Sequence, residues 1–271
     1  MLKIEHQYLP SSDELPDSDD TPVDNEDQNF LPNLLLFLLE HIWKDRQDWF
    51  FGADMGIYHT TGSNPRIPVV PDGFLSLGVE RRKRGKSRGS YVTWEENYII
   101  PVLVLEMVSH TYGKEYDQKL EIYQRLGVTY YVIYNPDFYQ RDKHAPLEIY
   151  KLVAGQYQLQ SGEPYWIPEA GLGLGRCVLP SDPLQREVLA WFDEENQRYL
   201  TPEEQLDLER QRIMAESQRA EAESQRAEAE SERAAAEKQR ADMTQEKLNL
   251  LMAKMRSLGI NPDPDDFSPP S

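Results

Sequence analysis

Cysteine is nearly absent from this 271-residue chain; Cys177 stands alone, so no internal disulfide can form and a reducing compartment is the simplest reading. No apolar run reaches the roughly 18 residues that a membrane span needs, and the longest, Tyr98 to Leu105, has the length of a buried strand. No basic-then-apolar leader pattern opens the sequence, so a cytoplasmic protein with no membrane partner is expected. The five histidines are scattered without zinc-ligand spacing, and Cys177 has no base near it in sequence. A Walker-type phosphate loop and a GxSxG elbow are also missing, which excludes the commonest nucleotide-hydrolase and serine-hydrolase chemistries.

Positive charge is scarce as well. The formal net charge is −18, of which −8 falls in residues 1–28 and −6 in residues 201–271, leaving −4 for the middle of the chain. An acidic protein is a poor generic binder of nucleic acid, because phosphates must be neutralised by Lys and Arg. A near-neutral middle with a local basic cluster still suits that task.

Residues 1–28 are rich in acid, Pro and Ser and poor in apolar residues, and are expected to be disordered. The texture then changes. Phe30 to Trp43 reads as a buried helix with Pro32 in its first turn, and Asp48 to Tyr58 and Arg66 to Leu77 read as strands. A polar insert fills residues 80–97, followed by the most apolar strand, YIIPVLVLEMV. Lys114 to Leu126 has helical spacing, with Gly127 as a left-handed stop. Val128 to Tyr134 is a buried strand, and LEIYKLVAGQYQLQ a hairpin turning at Ala154-Gly155. Residues 161–180 are Gly- and Pro-rich and read as loop, in part a final edge. The order α-β-β-β-α-β plus a hairpin predicts an α+β fold with a mixed sheet, over residues 29–200.

From Pro202 the sequence repeats with period seven. Leu206, Ile213, Ala220, Ala227, Ala234, Ala241, Leu248 and Met255 fall seven apart. A strict heptad favours a left-handed coiled coil. The alanine middle buries little area, so pairing into a homodimer is expected to concentrate near residues 248–258 of a helical segment 201–260. Residues 261–271 are expected to be a disordered tail.

Two acids interrupt apolar strands: Asp72 after Pro71, and Glu106 after Leu105. A buried lone carboxylate is costly unless it is paired or binds a metal. If the two strands pair, the carboxylates meet, and a divalent cation resolves their repulsion. Ligation by oxygen alone suits Mg²⁺ or Mn²⁺. Lys119, with Tyr123 one turn on, could face the strand ends and stabilise a hydroxide or a growing phosphate charge. The plainer alternatives are a turn acid for Asp72, a structural ion pair for Glu106 and a solvated helix lysine for Lys119. Asp54 and Glu40 are candidate accessory ligands, with capping or surface pairing as the alternative. The basic run Arg81, Arg82, Lys83, Arg84, Lys86 and Arg88 reads as a flexible loop that grips DNA phosphates beside the metal, or as a solvated loop that neutralises the acidic N-terminal segment. Residues 11–28 could then compete with DNA for it.

These motifs carry a family resemblance. Pro71-Asp72, the stretch VLVLEMVS around Glu106, and DQKLEIYQRLGVTYYVIYNP resemble the Uma2 family of restriction-endonuclease-like proteins, in the PD-(D/E)XK nuclease superfamily, over roughly residues 30–200. The resemblance implies an αβββαβ core. It also implies Mg²⁺-dependent hydrolysis of DNA phosphodiester bonds, carried by Asp72, Glu106 and Lys119. The superfamily pattern places its lysine two residues after the acid, where this chain has Val108, so the resemblance needs Lys119 to serve from the helix. A nuclease fold without activity, acting as a scaffold through its heptad helix, is the alternative function.

Overall fold

The computed structural model describes residues 9–15, 26–109, 114–180 and 182–259. The chain divides into two units, Met1–Pro202 and Glu203–Ser271.

In the first unit, α1 (Glu26–Ile42) begins before Phe30, so Pro32 lies inside the helix rather than in its first turn. Proline has no N–H to offer the carbonyl one turn back, at Gln28, and the helix tolerates this near its N-terminal end. The buried side of α1, Leu31, Leu35, Leu38 and Leu39, packs on the sheet.

The strands β1 (Trp49–Ala53), β2 (Ile57–Tyr58), β3 (Gly73–Leu77), β4 (Tyr91–Val92) and β5 (Leu103–Met107) follow. A helical crossover ending in α2 (Leu120–Leu126) leads to β6 (Tyr130–Tyr134). The short α3 (Tyr139–Asp142) then precedes the hairpin β7 (Leu147–Val153) and β8 (Gln156–Leu159). The main sheet has the order β1-β3-β5-β6-β7-β8. Within this sheet only β5 and β6 pair in parallel, as a helical crossover requires, while β2 and β4 form a separate parallel pair. The fold is therefore α+β with a mixed sheet, and its leading elements run α-β-β-β-α-β along the main sheet.

Strand periodicity gives the sheet two buried faces. Leu103, Leu105, Tyr130 and Val132 face α1, while Val104, Phe74, Tyr131 and Ile133 face the crossover helix. Gly52 of β1 sits under the ring of Phe74, where a Cβ would lie 2.3 Å from a ring carbon. The β7–β8 turn uses Ala154 and Gly155, both at positive φ (50° and 79°), the geometry that matches strand twist in a two-residue hairpin.

Three readings change. The stretch Arg66 to Leu77 joins the main sheet only from Gly73, although Val69 makes a single bridge to Ile57. Pro68 and Pro71 have no N–H for a ladder. Residues expected to be loop hold β9 (Tyr165–Ile167) and β10 (Leu172–Val178), which join β11 (Glu187–Phe192) in a second sheet of order β11-β10-β9. Trp191 of this sheet is fully buried and donates from its indole to the Leu35 carbonyl of α1 at 3.1 Å. Within the stretch expected to be disordered, residues 9–15 form a single 3-10 turn and residues 26–28 open α1. The turn is held by Ser12, which donates to Glu95 from both its amide (2.7 Å) and its hydroxyl (3.0 Å). Leu15 is buried against Tyr58, Val92 and Trp94. The rest of that stretch, and the tail 261–271, lie outside the described residues.

The described residues of the second unit are almost all helical: α4 runs from Pro202 to Ser257, about 84 Å at 1.5 Å per residue. No residue of it is buried, and Leu206, Ile213, Leu250 and Leu251 are exposed. No helix among the described residues is long and apolar enough to cross a membrane.

Candidate active site

Strand parity places Glu106 on the same face as Val104, toward the crossover helix, and it is fully buried there. Two side chains reach it. Lys119 Nζ donates to Oε2 at 2.6 Å, and the Tyr123 hydroxyl donates to Oε1 at 2.7 Å. The two donors stand four residues apart, one turn on one helix face.

Their delivery depends on an irregular turn. Residues Glu115–Lys119 form a π-helical turn, closed by the bond from Lys119 N–H to the Lys114 carbonyl five residues back at 3.1 Å. Lys114 enters it at φ 70°. Such turns recur at functional sites because they re-aim side chains without ending the helix. Gly127 closes α2 at φ 91°, its amide bonding the Tyr123 carbonyl at 3.0 Å.

Asp72 stands just before β3. The β3–β5 register pairs Gly73 with Leu105, so one step further sets Asp72 opposite Glu106. The Met107 amide donates to Asp72 Oδ2 at 2.6 Å, fixing the carboxyl at the strand end.

The electrostatics follow from this crowding. Burial, then the charge of Glu106, hold the Asp72 carboxyl well above the usual carboxylate range, against the Met107 N–H and Lys119. Burial also raises Glu106, which Lys119, Tyr123 and Asp72 partly offset. For Lys119, burial pulls downward, but Glu106 above all, with Asp72 and Glu115, outweighs it and the net shift is upward. The lysine is therefore a fixed cation. Side by side and both raised, the two acids disfavour double ionisation unless a further positive charge lies near them.

The expected residues separate into two groups. Asp72, Glu106, Lys119 and Tyr123 come together. Asp54 reaches the group through its backbone, donating its amide to the Asp72 carbonyl at 3.0 Å from a left-handed φ of 48°. Glu40 is instead paired with Arg81 at 2.5 Å.

The basic run does not lie beside the acids. β3 and β5 are antiparallel, so Asp72 and Glu106 share one end of the pair and the insert leaves from the other, about 17 Å away at roughly 3.4 Å per residue. Three of its six cations are held by acidic partners. Lys83 bonds Glu95 at 2.8 Å, and Arg88 bonds Glu96 at 2.9 Å while its guanidinium lies 4.5 Å from the Phe50 ring centre. Arg81 lies 4.2 Å from the Trp49 ring centre. Arg84 and Gly85 turn the chain with positive φ (49° and 76°) between Lys83 and Lys86.

Two neighbours of the centre escape a reading of the sequence. Glu115 is buried, and its one available signal is its position four residues before Lys119. Gln28 of α1 reaches the Met107 carbonyl, at a long 3.5 Å. Among the described residues no three His, Cys, Asp or Glu gather as a metal cluster, so the candidate cation ligands are the pair Asp72 and Glu106.

Comparison with known proteins adds independent findings. The profile of a family described as "Uma2: Putative restriction endonuclease" matches residues 20–180. No curated protein matches the chain. Among solved structures, the crystal structure of "a putative nuclease belonging to DUF820" from Anabaena variabilis is similar at 10% identity and a TM-score of 0.38, covering 54% of this chain and 74% of that one.

Proposed function

The chain belongs to the Uma2 family, and from that premise we propose that its α+β unit is a metal-dependent endonuclease that hydrolyses phosphodiester bonds of DNA. One observation carries the reading: a fully buried glutamate and a cross-strand aspartate, both with raised pKa, are served by one fixed lysine. A core that needed only stability would gain by replacing such a group with apolar side chains.

The donor set fits Mg²⁺ or Mn²⁺, held by Asp72 and Glu106, because two neighbouring hard carboxylates that repel one another suit a hard cation. When bound, the cation would acidify a water and polarise a phosphoryl oxygen. The protein supplies the rest. Met107 N–H and Tyr123 OH fix the two carboxyls, so little reorganisation is needed at the moment of reaction. Lys119, kept protonated, is no general base; it holds positive charge where charge grows on the phosphate. Loss of Mn²⁺ affinity by calorimetry in Asp72→Ala and in Glu106→Ala is the test, and full retention in both would sink the assignment.

A second reading rests on α4. Its exposed apolar residues Leu250 and Leu251, with Leu258 just past its end, give a second copy a surface to pair with. We propose a homodimer through this end of the helix, which serves a nuclease cutting two strands as well as an inactive scaffold.

A further inference from the structure

A cavity of about 380 Å³ lies on the insert, away from the carboxylate pair, and is lined by Lys83, Arg84, Lys86, Arg88, Ser90 and Asp13, among others. We propose that it is a discrete phosphate site, which takes a backbone phosphate of the nucleic-acid substrate at a distance from the scissile bond. The proposal rests on the nuclease reading only for what carries the phosphate.

Two observations support it. Four cations line one half-open cavity, with Asp13 and Glu95 as its acids. Lys83 and Arg88 are preset by Glu95 and Glu96, whereas Arg84 and Lys86 are exposed and no side-chain ion pair holds them among the described residues. The Ser90 hydroxyl is buried in a residue only 5% exposed, and it has no hydrogen-bond partner among the described residues. A buried hydroxyl left unpaired costs stability, and a phosphate oxygen is the acceptor that a cationic cavity would bring to it.

Asp13 makes the proposal signed. It brings a carboxylate to the lining beside Ser12, whose bonds to Glu95 hold the turn there. An anion in the cavity meets repulsion from Asp13, so this part of the N-terminal segment lowers phosphate affinity.

The experiment is fluorescence anisotropy of a labelled duplex on the full chain in EDTA, where no cleavage occurs, so an inactive enzyme does not affect the result. Inorganic phosphate is the competitor, and the duplex is used with and without a 5′ phosphate. The double variant Arg84→Ala, Lys86→Ala should lower the slope of log affinity against log salt by about 2. Ser90→Ala should weaken binding about tenfold, as expected for a lost hydrogen bond to a charged group, with no loss of thermal stability. Asp13→Asn should tighten it about two- to threefold. Equal dependence on the variants for both duplexes assigns an internal diester, and a preference for the phosphorylated one assigns a terminal monoester. Unchanged affinity in Ser90→Ala, or an unchanged salt slope in the double variant with its fold intact by circular dichroism, overturns the site.

Discussion

Replacing Asp72 with Asn should make the protein more stable and inactive at once. The Asp72 carboxyl is raised well above its ordinary value, first by burial and then by Glu106. A group raised in the folded state contributes fully below its unfolded pKa of about 3.9, and that contribution is lost as pH rises through the folded value. At pH 7 the wild type therefore either keeps a proton that the unfolded chain releases or buries two adjacent charges. Asparagine has no proton to lose, and its amide oxygen can still accept from the Met107 N–H. The expected gain is about 1 kcal/mol, in the range of other stabilising changes at functional sites. For a unit of this size that raises Tm by about 2–4 °C. All five tryptophans fall between residues 43 and 191, so their fluorescence reports the α+β unit without the long helix. The gap between variant and wild type should widen from pH 4 to pH 8. At ten times its Kd, Mn²⁺ should stabilise the wild type by about 1.4 kcal/mol and the variant not at all. A variant less stable than wild type at pH 7, or a gap that ignores pH, refutes the reasoning.

Three further outcomes follow from the same geometry. Lys119→Ala leaves Glu106 buried without its cation, so kcat should fall about 10²–10³-fold in a nuclease assay, and Mn²⁺ should bind no more weakly because a competing positive charge is gone. Tyr123→Phe removes one neutral donor to Glu106 and should cost about 1 kcal/mol in thermal unfolding while keeping most of the metal affinity. A chain ending at residue 247 should be monomeric by analytical ultracentrifugation where the full chain dimerises; a dimer of unchanged strength would place the pairing elsewhere.

The centre of the fold was legible where chemistry and periodicity agree. Glu106 stands out because nothing else in VLVLEMV is polar, and the strand-turn-strand order alone puts Asp72 within reach of it. Gly127 and Gly155 announce their turns because glycine adopts positive φ without the steric cost of a Cβ. The second sheet was not legible for physical reasons. β9 has three residues, and β10 carries Gly173 and Gly175, which admit Phe192 and Pro164 at close range, so no alternating pattern shows. The basic run misleads because sequence adjacency to both acid-bearing strands says nothing of which end of an antiparallel pair a connection joins. Three of its six cations, Arg81, Lys83 and Arg88, are matched by Glu40, Glu95 and Glu96, acids that look unremarkable in the sequence. The π-helical turn was also hidden, since KEYDQKLEIYQRL has ordinary helical spacing. Yet that turn ends on Lys119 and leads directly into the helix that carries Tyr123.

Incubation of supercoiled plasmid with the purified chain and Mg²⁺ or Mn²⁺, beside the double variant Asp72→Ala, Glu106→Ala, tests the central claim most directly. Nicked or linear product from the wild type, absent in the folded variant and abolished by EDTA, is the expected result. Intact plasmid from a folded, cation-loaded wild type, or equal cleavage by the variant, would contradict it.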